Sequence, residues 1–323
     1  MTLRAILRGY GHYLPPRVVE NAEFEETLDT SDEWIRTRTG IERRHFVSDG
    51  ETTADLGAKA AIAALKDAAL DPSDLDALIV ATSTADLTFP SAATMVQAEI
   101  GMTGGFAFDV QAVCAGFAYA MTNANALIAS GQARRVLVIG AETFSRLMDW
   151  SDRGTCVLFG DGAGAVVLEG VESAGTPQDR GILAAEIHSD GRFKDILYVD
   201  GGTSTNSTGH LRMQGKEVFR HAVEKLTGTA RNTLEAAGLT TDDISWIVPH
   251  QANLRILKAT ADRLNVEMDR VVVTVQDHGN TSAASIPLAL SVARQDGRLK
   301  EGDVVVTGAI GGGLAWGSVV FRV

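Results

Sequence analysis

Four stretches of this chain carry groups that could act together in one reaction. Cys114 ends FAFDVQAVC and opens the apolar run CAGFAYAMTNANALIA, which reads as a helix. A thiol at a helix start meets unpaired backbone N–H groups and the positive end of the helix dipole. Both lower its pKa and favour a nucleophilic thiolate. His250, in WIVPHQANLRI, lies where an apolar strand ends, and Asn253 then reads as a helix N-cap. In DHGNTSAAS, Asn280 and Ser282 precede a second apolar helix, behind a glycine that permits unusual backbone angles. In GAIGGGLAWGS, Gly311, Gly312 and Gly313 follow a buried strand, so bare N–H groups can line an oxyanion hole. Each feature alone has an ordinary explanation: a buried structural cysteine, a histidine bonded to a carbonyl, a capping loop. Together they describe thiol-based acyl transfer.

The elements that must position these groups repeat. AALDPSDLDALIVAT (68–82) matches AGLTTDDISWIVPHQ (237–251), with Leu70 on Leu239 and Asp74 on Asp243. ARRVLVIGAET (133–143) matches EGDVVVTGAIG (301–311), with Gly140 on Gly308. GAGAVVLEG (162–170) matches LAWGSVVFRV (314–323). Three matched elements in one order, displaced by 168 or 169 residues, predict two copies of an α/β unit with mainly parallel strands. The boundary falls in the turn-rich VESAGTPQDRG, dividing the chain into residues 1–172 and 173–323. The displacement sets Cys114 on Ser282, which follows the Val-rich stretch VVVTV (271–275), read as a strand. Two helix N-termini then converge where the halves meet, a place where α/β proteins build sites.

Composition narrows the partners. The 323 residues include 29 Lys and Arg against 41 Asp and Glu, a formal net charge of −12. That excludes general binding to nucleic acid or anionic membranes, which needs clustered basic surface. Apolar runs such as LDALIVAT are far below the ~18–20 residues of a spanning helix, and the N-terminus has no signal-peptide pattern. Two cysteines, Cys114 and Cys156, are too few for a disulfide scaffold or a cysteine-based zinc site and suit a reducing cytoplasm. Cys156 reads as a small buried hydrophobe in a strand-like stretch. The Gly-rich GDGAGA (160–165) enters a strand rather than leaving one for a helix, so the dinucleotide-binding context fails.

Seven ordered motifs resemble the β-ketoacyl-acyl-carrier-protein synthase III family of thiolase-like condensing enzymes. They are DTSDEWIRTRTGIERR (29–44), FPSAA (89–93), FDVQAVCAGF (108–117), DRGTCVLFGDGAGA (152–165), VPHQANLRI (248–256), HGNTSAASIP (278–287) and GGGLAWGS (311–318). The resemblance implies a thiolase-like duplicated fold, two related halves in a layered αβαβα core. It implies that Cys114 takes an acyl group, acetyl in the simplest case, from acyl-CoA. His250 and Asn280 would then stabilise the enolate formed when malonyl-acyl-carrier protein loses CO2. The backbone N–H groups of Cys114 and Gly312 would form the oxyanion hole. By the same resemblance Trp34 and Arg153 would flank the CoA adenine, Arg38 would contact its phosphate, and Asn253 would lie near the pantetheine. Phe89 would reach the acyl pocket of a second copy in a homodimer. Val113 and Leu314 stand where the family often has Ala and Phe, which leaves the primer acyl group open. No metal or redox cofactor is required.

Three other readings stand beside this one. A relative in polyketide-like specialised metabolism would keep Cys-His-Asn and use another acceptor. A hydroxymethylglutaryl-CoA synthase would need a Glu general acid near the thiol, and none stands near Cys114 in the chain. A non-catalytic scaffold would not need all three polar groups. Because carrier proteins are acidic, an acidic enzyme must present a local basic face. Arg255 and Lys258, three apart, and Lys216 and Arg220, four apart, share helix faces and are the candidates.

Overall fold

The computed structural model describes residues 2–323. The first half builds a five-stranded sheet from β1 (Thr2–Tyr13), β2 (Ala77–Ala81), β3 (Phe106–Val110), β4 (Arg135–Thr143) and β5 (Asp161–Ser173). Its order is β1-β5-β4-β2-β3. The second half builds a four-stranded sheet from β6 (Gly181–Ser189), β7 (Trp246–Pro249), β8 (Val304–Gly311) and β9 (Ala315–Arg322), in the order β6-β9-β8-β7. Directions correspond as well. In each sheet the first three strands in that order pair antiparallel and the remaining pairings are parallel, so the strands are not mainly parallel as the sequence pattern suggests.

Seven helices matter for the site: α1 (Asp32–Thr39), α2 (Thr53–Ala68), α3 (Ala92–Glu99), α4 (Gly116–Ala129), α5 (Gly215–Ala236), α6 (Leu254–Leu264) and α7 (Ser285–Gln295). Helices α4 and α7 lie between the sheets, α2 and α3 cover the outer face of the first, and α5 and α6 cover the second. The result is the αβαβα layering. The sequence explains the placement. The central helices bury residues on most of their circumference, from Phe117 and Met121 on α4 to Ile286 and Leu290 on α7, as helices enclosed on both sides must. The outer helix α6 is amphipathic and buries Ile256, Leu257, Ala261 and Leu264. It starts where the sequence signals, because the Asn253 side chain accepts a hydrogen bond from Arg255 N at 2.8 Å.

Three local expectations change. Residues 271–275 are not a strand. Val271 makes one parallel bridge to Ile247, and Val272 N donates to Ile247 O at 2.9 Å. The N–H groups of Thr274 and Val275 then turn to Gln251 Oε1, and a short helix follows at Val275–His278. A side-chain acceptor thus ends the ladder that β-branched residues would otherwise continue. Cys156 lies in turns rather than a strand, since Asp152 O accepts from the N–H groups of both Thr155 and Cys156. The structural counterpart of Cys114 is also not Ser282. Short 3₁₀ turns at Val113–Ala115 and Ser282–Ala284 precede α4 and α7, and their first residues share a φ of 49°. Val113 therefore corresponds to Ser282, and Cys114 to Ala283.

Two glycines let these turns approach the strands. A Cβ on Gly140 of β4 would sit 2.2 Å from Ala283 O, and one on Gly311 of β8 would sit 2.6 Å from Cys114 N. Each half's strand end supports the turn of the other half.

Candidate active site

Cys114, His250 and Asn280 line one cavity of about 580 Å³. All three are buried. Cys114 sits in the 3₁₀ turn just before α4. Burial, reinforced by the negative charge of Glu142, pushes its thiol up to about 12, while the Ser282 hydroxyl works in the opposite direction. The helix start was expected to lower this pKa. The loss of water around the thiolate outweighs that effect here.

His250 follows the end of β7, with its N–H bonded to Gly308 O at 2.9 Å. Its Nδ1 lies 2.7 Å from Ser285 Oγ, which also accepts from Gln251 N at 3.3 Å. The serine has its own proton to give Nδ1, and that pairing leaves Nε2–H free for the cavity. Burial lowers the imidazole pKa to about 3, so the ring is a neutral donor. Asn280 is held by the first half of the chain. Its N–H donates to Leu158 O at 2.9 Å, and its C=O accepts from Gly160 N at 3.0 Å. Its Oδ1 accepts from Ser282 N at 2.9 Å, which leaves the side-chain NH2 for the cavity. Two neutral donors and a thiol therefore converge on one space.

The cavity opens between α1, α5 and α6. Trp34, Arg38, Asn253, Arg255 and Lys216 line it, with apolar Phe144, Leu158, Ile256 and Ile310 deeper on its wall. The guanidinium of Arg38 lies 4.8 Å from the Trp34 ring and that of Arg153 lies 5.4 Å from it. Arg153 also reaches Asp29, with Oδ2 at 3.0 Å. Asn253 Nδ2 donates to Arg38 O at 3.1 Å, and Arg255 donates to Thr37 O at 3.0 Å. A cationic, aromatic mouth leading to a buried thiol suits a long ligand with an anionic head and a reactive tail.

The other expected residues are spread around this centre. Val113 lines the cavity and also a neighbouring one of about 1010 Å³, whose wall includes Gly312. Leu314 is on neither wall. It is fully buried behind the first cavity, packed with Leu226 and Ile310, so it can act on the acyl space only through them. Phe89 is 82% exposed. Lys258 is exposed and lies off the cavity wall, and Arg220 is paired with Glu217 at 2.6 Å.

Three residues of the site have little or no signature in the linear sequence. Gln251 bonds Pro249 O, Val272 O and the N–H groups of Thr274 and Val275, tying the chain before Asn280 to the end of β7. Ser285 orients His250. Glu142, 28 residues from Cys114 in the chain, is brought near the thiol by β4. It is fully buried and not on the cavity wall, so it cannot touch a substrate as a synthase's general acid must. Only the Ser285 position carried any hint, as the end of the SAAS run before an apolar helix.

Comparison with known proteins agrees with this geometry. Residues 108–191 match the family described as 3-oxoacyl-[acyl-carrier-protein] synthase III, and residues 234–323 match its C-terminal part. A β-ketoacyl-[acyl-carrier-protein] synthase III of Cereibacter sphaeroides is 76% identical over 322 residues, covering 100% of both chains. The crystal structure of 3-oxoacyl-[acyl-carrier-protein] synthase III from Aquifex aeolicus is 45% identical, covers 99% of this chain and 100% of its own, and gives a TM-score of 0.93. A priming β-ketosynthase from a polyketide biosynthetic pathway has the same TM-score at 35% identity, covering 100% of this chain and 97% of its own. By its sequence over full length and by its fold, this chain belongs to the β-ketoacyl-acyl-carrier-protein synthase III family of condensing enzymes.

Proposed function

We infer that this chain starts fatty-acid synthesis as an acyltransferase. Cys114 takes an acyl group from acyl-CoA, and malonyl-acyl-carrier protein then loses CO2 and condenses with it. The product is a β-ketoacyl-carrier protein. The observation that carries this reading is the shared cavity of Cys114, His250 and Asn280 behind a cationic mouth, in a chain 76% identical over full length to a β-ketoacyl synthase III. Sulfur attacks the thioester carbonyl and CoA leaves. Decarboxylation then places charge on the malonyl thioester oxygen, where the His250 Nε2–H and the Asn280 NH2 stabilise it. The resulting carbanion attacks the acyl-Cys114 carbonyl and releases the sulfur. The N–H groups of Cys114 and Gly312 serve as the oxyanion hole, and Trp34, Arg38, Arg153 and Asn253 receive CoA. Acyl-CoA is a substrate in this scheme, and no step calls for a metal or redox cofactor. The polyketide alternative is weaker, since the priming ketosynthase is only 35% identical. A panel of acyl-CoAs with malonyl-carrier protein, read by product mass spectrometry, tests the reading. No β-ketoacyl product from any short primer would overturn it.

Two parts of the proposal concern partners. A homodimer is supported by the exposed Phe89 and by β3, an edge strand whose Phe106 and Phe108 rings stack with centroids 6.3 Å apart. An edge carrying aromatic surface calls for a cover, and a second copy supplies one. A monomer in sedimentation at working concentration would remove this part. Carrier-protein docking is assigned to the basic rim. Arg255 lines the CoA mouth, whereas Lys258 lies beyond it on the same helix. Arg255→Glu is therefore expected to weaken both acyl-CoA loading and carrier-protein use. Lys258→Glu should raise KM for the carrier protein severalfold and leave loading unchanged. Loss of loading in Lys258→Glu would contradict the assignment. The protein is further proposed to work in the cytoplasm; among the described residues no helix is long and apolar enough to cross a membrane.

A further inference from the structure

Two donors can share one developing charge only if the spacing between them is fixed. His250 and Asn280 lie 30 residues apart on different segments, so contacts between those segments must set that spacing. The hydrogen bonds around them close a loop. Upstream of Asn280, the Gln251 side chain donates to Pro249 O at 2.8 Å and to Val272 O at 3.0 Å, and its Oε1 accepts from Thr274 N at 2.8 Å and Val275 N at 3.2 Å. Downstream, Ser285 Oγ meets His250 Nδ1 at 2.7 Å and Gln251 N at 3.3 Å. Residues 272–285, which carry Asn280, are thus fastened at both ends to residues 249–251, which carry His250. Stiff pieces span both gaps. The helix Val275–His278 receives no side-chain cap from its own N-cap residue, Thr274, and Gln251 Oε1 supplies one from the end of β7 instead. Gly279 N then closes on Val275 O at 3.0 Å, and Asn280 is next. On the other side Ser282 N holds Asn280 Oδ1 at 2.9 Å, and the turn Ser282–Ala284 runs straight into Ser285 at the start of α7.

We propose that Gln251 and Ser285 form a clamp that holds the His250 and Asn280 donors at one spacing, so that the two act on the malonyl thioester oxygen as a unit. Both clamp residues are buried, and neither is on the cavity wall. They touch no substrate and act through the donors, so they are positioning residues. The proposal rests on the acyl-transfer reading above.

The chemistry of the clamp is specific to its residue types. Two carbonyls and two N–H groups surround the Gln251 amide, so its two donors and both lone pairs are used, and its oxygen and nitrogen cannot trade places. A glutamate there would set a buried anion against two carbonyls. An asparagine would keep the amide and fall one methylene short of bridging both segments. At Ser285 the oxygen accepts from Gln251 N, which leaves the hydroxyl proton for His250 Nδ1 and the ring proton on Nε2. Cys114 stands outside the clamp. The turn before α4, in the other half of the chain, carries it. Enolate formation, and not acyl transfer to sulfur, is therefore the step that depends on Gln251 and Ser285.

The test uses Gln251→Asn and Ser285→Ala in the full chain. Decarboxylation of malonyl-carrier protein should fall about 10²-fold in Gln251→Asn, in kcat rather than KM, the scale of a misplacement of about 1 Å. Ser285→Ala should lose about 10-fold, the effect of one hydrogen bond to the imidazole. Acylation by acetyl-CoA should stay within about threefold of native in both, because the thiol shares no partner with the clamp. In an Asn280→Ala background, Gln251→Asn should lower decarboxylation by no more than about threefold further, since the donor pair is already broken. Nitrogen NMR of the histidine rings, assigned against His250→Ala, needs no substrate. It should show His250 protonated at Nε2 alone in the native protein, and a displaced Nδ1 resonance in Ser285→Ala. Native decarboxylation in Gln251→Asn would overturn the proposal. So would equal loss of acylation and decarboxylation, which marks a general loss of structure, or an undiminished effect of Gln251→Asn in the Asn280→Ala background. A native proton on Nδ1, or an unmoved Nδ1 resonance in Ser285→Ala, would overturn it too. If Gln251→Asn does not fold, Ser285→Ala with native decarboxylation overturns it alone. Native protein with the Nε2 proton in place that fails to decarboxylate malonyl-carrier protein would count against the functional reading instead.

Discussion

Cys114→Ala is expected to abolish acyl-enzyme formation and lower condensation by about 10⁴–10⁶-fold, the cost of deleting a nucleophile that acts in concert with its site. Decarboxylation of malonyl-carrier protein should persist, because the proposed scheme forms the enolate against His250 and Asn280 and not against sulfur. The truncation should also spare the backbone. Cys114 N is held close to Gly311, and the adjoining turn is fixed by Ala115 N donating to Ala112 O at 3.0 Å. Intact-protein mass spectrometry after incubation with acetyl-CoA reads the first half of the prediction, and CO2 release reads the second. Acylation persisting in Cys114→Ala would mean another nucleophile. Cys156 is the remaining thiol, and it is fully buried away from the cavity wall.

His250→Ala and Asn280→Ala are each expected to slow decarboxylation by about 10²–10³-fold, the usual cost of one oxyanion donor. Acylation of Cys114 should stay within a few-fold of native. The two donors come from different supports, His250 from the end of β7 and Asn280 from contacts with residues 158–160, so removing one leaves the other in place. The pH profile adds a check. A group whose pKa is depressed to about 3 is neutral at every pH above it. Native decarboxylation should therefore show no imidazole inflection between about pH 5 and 8, the range where an unperturbed His would titrate. Native-rate decarboxylation in either variant would remove that residue from the role. An inflection near 6.5 lost in His250→Ala would mean that His250 titrates and is not the neutral donor described.

Much of the site was legible because its residues sit at element ends, where sequence punctuation is strong. Asn253 caps α6 as its type and position indicate, and His250 follows an apolar strand. The repeat was legible because buried strands and acidic turns recur in order. What the linear pattern misread were local contests. Five β-prone residues at 271–275 fail to make a strand because Gln251 captures the N–H groups of Thr274 and Val275. Matching Cys114 to Ser282 is off by one, because two 3₁₀ turns of equal length, and not the residue types, set the alignment.

The sequence alone determined the α/β repeat, the thiol, the imidazole and carboxamide that face it, and the family. These follow from residue type, periodicity and order along the chain. Only the tertiary structure decided the electrostatics. Whether a helix start lowers the Cys114 thiol or burial raises it depends on how much water the packed halves exclude, and here burial wins. It also decided the neighbours. Glu142 acts on the thiol through its charge from a strand, β4, whose Gly140 lies within touching distance of the turn at Ala283, a contact between residues 143 positions apart. Desolvation and long-range proximity belong to the fold as a whole, so no local pattern in the chain records them.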